Sequence, residues 1–292
     1  MSCLVLVPFV LFVACFAIGC RTVREEIEHI HSLGDRLEAN PTDRQSLAEI
    51  EAYLHHSDRT LRTQAVSTLG NAGAKHLDVL GDEVVPLLIA RLTDDDAYVR
   101  RYAVVHLGHY GSKAVPAVPA LIEVLRNNKF ADSGLFAAEV LGNLGTPALP
   151  AVPELIQSLD YRGVDGKVDQ AAIQGPASEA LFKLSPLGAE YVAEMQKRLD
   201  RLFGEPLALV ALAILKSQPK NTQATQALAR VLADQSIPSV IAALLNINRV
   251  PTDLFDQNVL VPALAKCSQS PNHEARDLGS EQLARFKSQD TR

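Results

Sequence analysis

Apolar positions along the chain recur as small–large pairs four residues apart. Ala65/Leu69, Ala103/Leu107, Ala137/Leu141, Ala180/Leu184 and Ala211/Leu215 are followed by weaker copies at Ile241/Leu245 and Gly279/Leu283. A separation of four puts both members on one helix face, so each pair predicts an amphipathic helix whose Ala admits a neighbour and whose Leu fills the gap. The Leu-to-Leu steps are 38, 34, 43, 31, 30 and 38 residues. Self-similarity at a period in the thirties predicts stacked helical units, because no single unit buries its own apolar face.

The fullest copy reads Asp96-Ala97-Tyr98-Val99-Arg100, Ala103, Leu107-Gly108, Gly111, Ala114-Val115-Pro116 and Val118-Pro119-Ala120-Leu121. An earlier copy holds Asp58, Arg62, Ala65, Leu69-Gly70, Gly73 and Val85-Pro86-Leu87, and a later one Ala137, Leu141-Gly142, Gly145, Ala148 and Ala151-Val152-Pro153-Glu154-Leu155. The Gly after each Leu is expected to end its helix in a left-handed C-cap. Pro116, Pro119, Pro150 and Pro153 fall where the next helix begins and a missing N–H costs little. This pattern resembles HEAT repeats, in particular the subgroup known from phycobilisome lyases. Residues 96–125 carry it almost completely, 58–92 and 132–159 in part, and beyond about 177 only the apolar phase persists. The resemblance implies an all-α fold, a right-handed HEAT-type α-solenoid of about seven helical-hairpin units. It also implies that Asp58/Arg62 and Asp96/Arg100 tie adjacent repeats together in a structural ladder.

The chain's beginning is a different object. Residues 3–20 carry no charge, and Arg21 is the first charged side chain. A short apolar run of this kind is a secretion signal or a marginal membrane span, separate from the fold. Its end, Ala17-Ile18-Gly19-Cys20, resembles the lipobox of bacterial lipoproteins. That resemblance implies lipidation of Cys20 and a body at the extracytoplasmic face of a membrane. Arg21 and Arg24 follow the run and none precedes it, which by the positive-inside bias points to the alternative, an uncleaved anchor with a cytoplasmic body. The organisation expected is a leader over 1–19, a spacer or N-terminal capping helix over 20–40, the solenoid over 41–286 and a flexible tail over 287–292. Asn40-Pro41-Thr42-Asp43 supplies a stop and a start, with Thr42 or Asp43 as N-cap.

Composition changes the picture in three places. A net charge of −6 argues against a broad phosphate-binding surface, so no nucleic-acid partner is expected. Of four cysteines, Cys3, Cys15 and Cys20 lie in the leader region. Cys267 is left as a lone thiol, read as a small core residue. The segment from Tyr161 to Pro176 interrupts the period and is expected as a loop on one face. Asp165 and Asp169 within it lack the ligand run of a calcium loop.

Candidate contacts lie on the helix of the fullest repeat. Val99, Ala103, Leu107 and Tyr110 take its buried stripe, leaving Tyr98, Tyr102, His106 and His109 on an exposed flank. The HEAT resemblance places this flank in the concave groove. Together with Phe136 and Val140 one repeat on, it forms a candidate ridge for a protein partner. Two histidines without further ligands nearby make no metal site, and no phosphate loop, nucleophile elbow or Cys-x-x-Cys pair is present. HEAT-like deoxyhypusine hydroxylases hold iron through several His-Glu pairs, whereas this chain has only His273-Glu274. The expectation is a membrane-tethered protein-binding scaffold rather than an enzyme, with no cofactor, metal or small-molecule substrate. A HEAT-like lyase or metal-dependent hydroxylase, or a cytoplasm-facing assembly factor, is the alternative.

Overall fold

A computed structural model describes residues 21–127, 131–160, 173–234 and 236–288. The leader with Cys20, the acidic positions Asp165 and Asp169, and the tail from 289 lie outside the described residues. All secondary structure among the described residues is helical. The helices are α1 (Val23–Ala39), α2 (Arg44–Tyr53), α3 (Arg59–Lys75), α4 (Leu77–Ala90), α5 (Ala97–Leu107), α6 (Val118–Arg126), α7 (Ala131–Leu144) and α8 (Val152–Ser158). They continue as α9 (Gln174–Leu184), α10 (Ala189–Gln196), α11 (Gly204–Ser217), α12 (Thr222–Leu232), α13 (Ile237–Ile247), α14 (Gln257–Cys267) and α15 (His273–Lys287). After α1 the described helices pair into seven hairpins, α2/α3 through α14/α15. Contacts divide the chain into two compact units, one ending at His106 and one beginning at Leu107.

In the first unit α1 packs on α3, and α2 and α4 flank α3. Capping sets the helix starts. Thr22 and Glu25 form a reciprocal capping box, and Asp43 and Asp58 cap α2 and α3 with their carboxylates. Helix α1 therefore behaves as the array's first layer member, with Ile30, Leu33 and Leu37 buried against its neighbours. In the second unit the odd-numbered helices stack as α7–α9–α11–α13–α15, while α6–α8–α10 and α12–α14 form the other layer. The centre is α11, in which all nine residues from Leu207 to Leu215 are buried. A helix apolar all round can only be interior, and here it has neighbours in both layers.

The glycines split into two kinds. Gly111 (φ 51°) and Gly145 (φ 69°) adopt the left-handed conformation that a turn requires. Gly70 and Gly142 were expected as C-caps but lie inside α3 and α7. A Cβ on Gly70 would stand 2.2 Å from Cγ of His106, and one on Gly142 2.8 Å from the Ala180 Cα. These are notches that let the next helix of the layer approach. Pro119 and Pro153 sit in the first turns of α6 and α8, and Pro116 and Pro150 in the 3-10 stretches just before them.

The apolar phase fails once. Ala65/Leu69, Ala103/Leu107, Ala137/Leu141, Ala180/Leu184 and Ala211/Leu215 are all buried, but Leu245 is 52 % exposed. The buried pair in α13 is Val240/Leu244, one position earlier. In α15 Leu283 is half-buried, and Phe286 fills the core against Phe255, ring centroids 5.3 Å apart. Cys267 is buried as expected. Its thiol, pushed up by burial, donates to the Leu232 carbonyl at 3.5 Å.

Candidate interaction face

Two arrangements of side chains stand out, one in each unit. In the first, arginines organise the turns between hairpin helices. Arg62 sits four residues after the N-cap Asp58, and one of its Nη groups donates to the carbonyls of His56 (2.9 Å) and Ser57 (3.2 Å). Arg100, four after Asp96, repeats this on Asp94 (2.8 Å) and Asp95 (3.0 Å). The second unit carries the same clamp in its last hairpin, where Arg276, four after the cap Asn272, reaches the Ser270 carbonyl at 3.4 Å. Each arginine clamps the turn that leads into its own helix, satisfying carbonyls that the helix cannot.

Two of the anticipated ladder residues, Arg62 and Asp96, tie adjacent repeats through partners outside the anticipated set. Arg62 grips Asp94 of the next turn in a bidentate pair at 2.8 and 3.0 Å, and Arg59 meets Asp96 at 3.2 Å. Asp94 was not singled out from the sequence. Asp58 uses its carboxylate locally, accepting the Thr60 amide at 2.6 Å, which holds its pKa below the usual carboxylate value. Asp96 accepts the amides of Tyr98 (2.9 Å) and Val99 (3.3 Å).

The expected ridge residues divide by burial. Tyr98 and Tyr102 are 58 % and 40 % exposed on α5, and His109 is exposed in the second unit. His106 is only 5 % exposed because its ring fills the Gly70 notch, and its neighbour on the flank is Tyr102, ring centroids 6.2 Å apart. Val140 is buried at the equivalent position against Gly108, while Phe136 is half-buried. Within the first unit Tyr102 therefore stays exposed while His106 is consumed by packing, and within the second Phe136 is half-buried and Val140 is consumed. His106 and Val140 are corrected from exposed contacts to core residues.

In the second unit the α7, α9 and α11 faces enclose a groove of about 350 Å³. Pro176, Ala180 and Leu209 give it an apolar floor, and Glu139, Glu179, Lys183 and Glu205 stand around it. Arg249, just beyond α13, clasps Glu179 through both Nη groups at 2.8 and 3.1 Å. The same guanidinium lies 4.4 Å from the centre of the Phe182 ring, and Lys216 Nζ lies 4.5 Å from it. Burial, and then the charge of Arg249, lower the Lys216 pKa. This cluster ties α9 to the end of α13 across α11, whereas solenoid repeats ordinarily touch only their neighbours. The Glu179 side of the groove is thus braced within the chain. Of the groove residues the repeat pattern marked only Ala180, and none of the charged ones. The one signal available was Glu179/Lys183 at helical i, i+4 spacing.

Among the described residues no group of three His, Cys, Asp or Glu is placed to hold a metal ion, and no helix is long and apolar enough to cross a membrane.

The family model described as HEAT repeats matches residues 85–175, and that described as HEAT-like repeat matches 59–110. Residues 59–175 carry HEAT repeats. Its fold is that of solved repeat structures. The complex of CpcE and CpcF of phycocyanin lyase from Nostoc sp. PCC7120 aligns at 21% identity and a TM-score of 0.50, over 81% of this chain and 93% of that one. An engineered protein aligns at 17% identity and a TM-score of 0.56, over 93% of this chain and 77% of that one. At these identities the likeness concerns the fold. No curated protein matches the sequence significantly. The HEAT α-solenoid expected from the repeats is thus the architecture of the protein, and a HEAT solenoid is a surface suited to protein partners.

Proposed function

We propose that this HEAT protein is a scaffold that binds a partner protein on the face of its odd-numbered helices and is held at a membrane by its N-terminus. The observation that carries the binding role is the groove of the second unit, bordered by three successive helices of one layer and braced by Arg249. Preorganised walls lower the ordering cost of association. The uncharged run 3–20 ending at Cys20 supports the tether, since a diacylated cysteine gives stable anchoring and raises the local concentration of the module. In this reading the body lies at the extracytoplasmic face of the envelope. Tyr98 and Tyr102, exposed on the first unit, are candidate aromatic contacts of that unit by itself.

Photo-crosslinking in native membranes tests the binding role. A crosslinker at Asn143, on the groove side of α7, is expected to give a discrete protein adduct. The same group at the exposed Glu190 of α10 is expected to give none. Equal labelling at both sites, or none at Asn143, would remove the groove as a binding face. Intact mass of the mature N-terminal peptide, beside Cys20→Ser, tests the tether. A diacylglyceryl adduct on Cys20 is expected, and an unmodified chain still starting at Met1 would indicate the uncleaved anchor with a cytoplasmic body.

A further inference from the structure

The carboxylates around the groove are not equivalent. Glu179 is engaged, with Arg249 at 2.8 Å and Lys183 at 3.7 Å. Glu139 and Glu205 are exposed, and among the described residues no Lys or Arg stands within ion-pair distance of either. Glu205 accepts the Asn246 side-chain amide at a long 3.4 Å. Between them lies the apolar floor of Pro176, Ala180 and Leu209. Lys183 is turned to Asn143, its Nζ donating to Oδ1 at 2.8 Å.

We infer that the groove receives a Lys or Arg side chain of a partner protein, its aliphatic stem along Pro176, Ala180 and Leu209 and its cationic head between Glu139 and Glu205. This rests on the binding role proposed above and specifies the partner's chemistry. A wholly apolar occupant would strip water from two carboxylates and return no partner to them. An acidic occupant would meet like charge on both sides of the cavity. A long basic side chain answers both halves of the site, because it carries a hydrocarbon stem and a charged head. The Arg249 clasp supports this choice, since it satisfies Glu179 internally and leaves two carboxylates to face the incoming group.

The test uses a phage-displayed library of random twelve-residue peptides, selected against the full chain. Fluorescence anisotropy with the synthetic peptides recovered then measures binding to wild type and to the double variant Glu139→Gln with Glu205→Gln. Recovered peptides are expected to share a Lys or Arg flanked by apolar residues. The double variant should bind them about tenfold more weakly or worse, and affinity should fall as salt rises. Both glutamates are exposed, so an unchanged helical circular-dichroism signal and melting temperature are expected and separate lost binding from lost folding. Peptides without a basic residue, or binding unmoved by the double variant, overturn this assignment while a groove adduct at Asn143 leaves the binding role standing. A library that yields no binder, together with no adduct at Asn143, overturns both.

Discussion

The two compact units solve one problem, attaching a repeat to its neighbour, by partly different means. The first does it with polar groups at the turns. Arg62 joins Asp94, Arg59 joins Asp96, and Arg91 donates to the Leu54 carbonyl at 2.7 Å. The second has ion pairs between repeats as well, Arg126 with Glu154, Arg198 with Asp160 and Arg230 with Asp200, and adds an interior helix, α11, and the Arg249–Glu179 clasp over its groove. Directional bonds at turns need particular residues at fixed places, so the Asp and Arg signature is clear there. Burial needs only apolar residues in phase, so the signature fades while the stack persists. The recognisable part of this array is therefore the part in which Asp and Arg recur at fixed repeat positions, and the rest, whose ion pairs stand at other positions, is no less packed.

This contrast can be broken in order of effect. Leu212→Ala, at a fully buried site in α11, is expected to cost about 2–5 kcal/mol in urea unfolding, and any loss below 1 kcal/mol would contradict an interior α11. Arg62→Ala removes a bidentate partner from the nearly buried Asp94 and should cost about 1.5–3 kcal/mol in the first unit. Gly142→Ala should destabilise by about 1–3 kcal/mol, because the new Cβ meets the Ala180 backbone, which cannot turn aside. On an open helix surface the same change would stabilise by about 1 kcal/mol, so the sign alone decides whether Gly142 is a notch. The notch at Gly70 meets a side chain instead, and Gly70→Ala should be partly rescued by His106→Ala. Smallest is Arg249→Ala, a half-exposed pair worth about 0.5–1 kcal/mol and weakened by salt.

Acid should separate the units too. In the first, Glu25, Asp43, Asp58 and Asp96 all sit below their ordinary pKa. The Thr22 amide acts on Glu25, the Ser46 hydroxyl and amide on Asp43, and the Thr60 amide on Asp58. For Asp96 desolvation pulls the other way and is outweighed by the Val99 and Tyr98 amides. Among the described carboxylates of the second unit only Glu194 is lowered, by the hydrogen bond from the Lys197 ammonium. A depressed carboxylate stabilises fully above its unfolded pKa, about 4, and loses that stabilisation as pH falls through the lower folded value. Hydrogen exchange corrected for intrinsic rates, followed from pH 5 to pH 3, should therefore show α1–α4 opening before α11. The reverse order would mean that the caps contribute less than the apolar interior.

What was legible follows the same division. Period, helix faces, caps and the prolines opening α6 and α8 could be read directly, because each depends on residues within one or two turns. The fate of His106 could not be read. A histidine beside Tyr102 on a helix flank reads as a contact, and only the glycine 36 residues earlier turns it into a knob in a notch. The groove was equally silent, since Glu139, Glu179 and Glu205 come from three helices and Arg249 from the turn after a fourth, with no shared motif. The phase slip at Leu245 had the same origin. Local pattern offered Ile241/Leu245 as the buried face of α13, and packing selected Val240/Leu244 instead.

The sequence by itself determined an all-helical repeat protein, the order of its helices, and an uncharged segment before the array ending at Cys20, because periodicity and capping are local. The tertiary structure alone decided which polar side chains remain outside. It sank His106 and Val140, paired Arg62 with Asp94 and Arg249 with Glu179, and left Glu139 and Glu205 without a cation among the described residues. Those outcomes depend on which side chains from separate repeats come within a few ångströms, and short-range charge and packing act only at that distance.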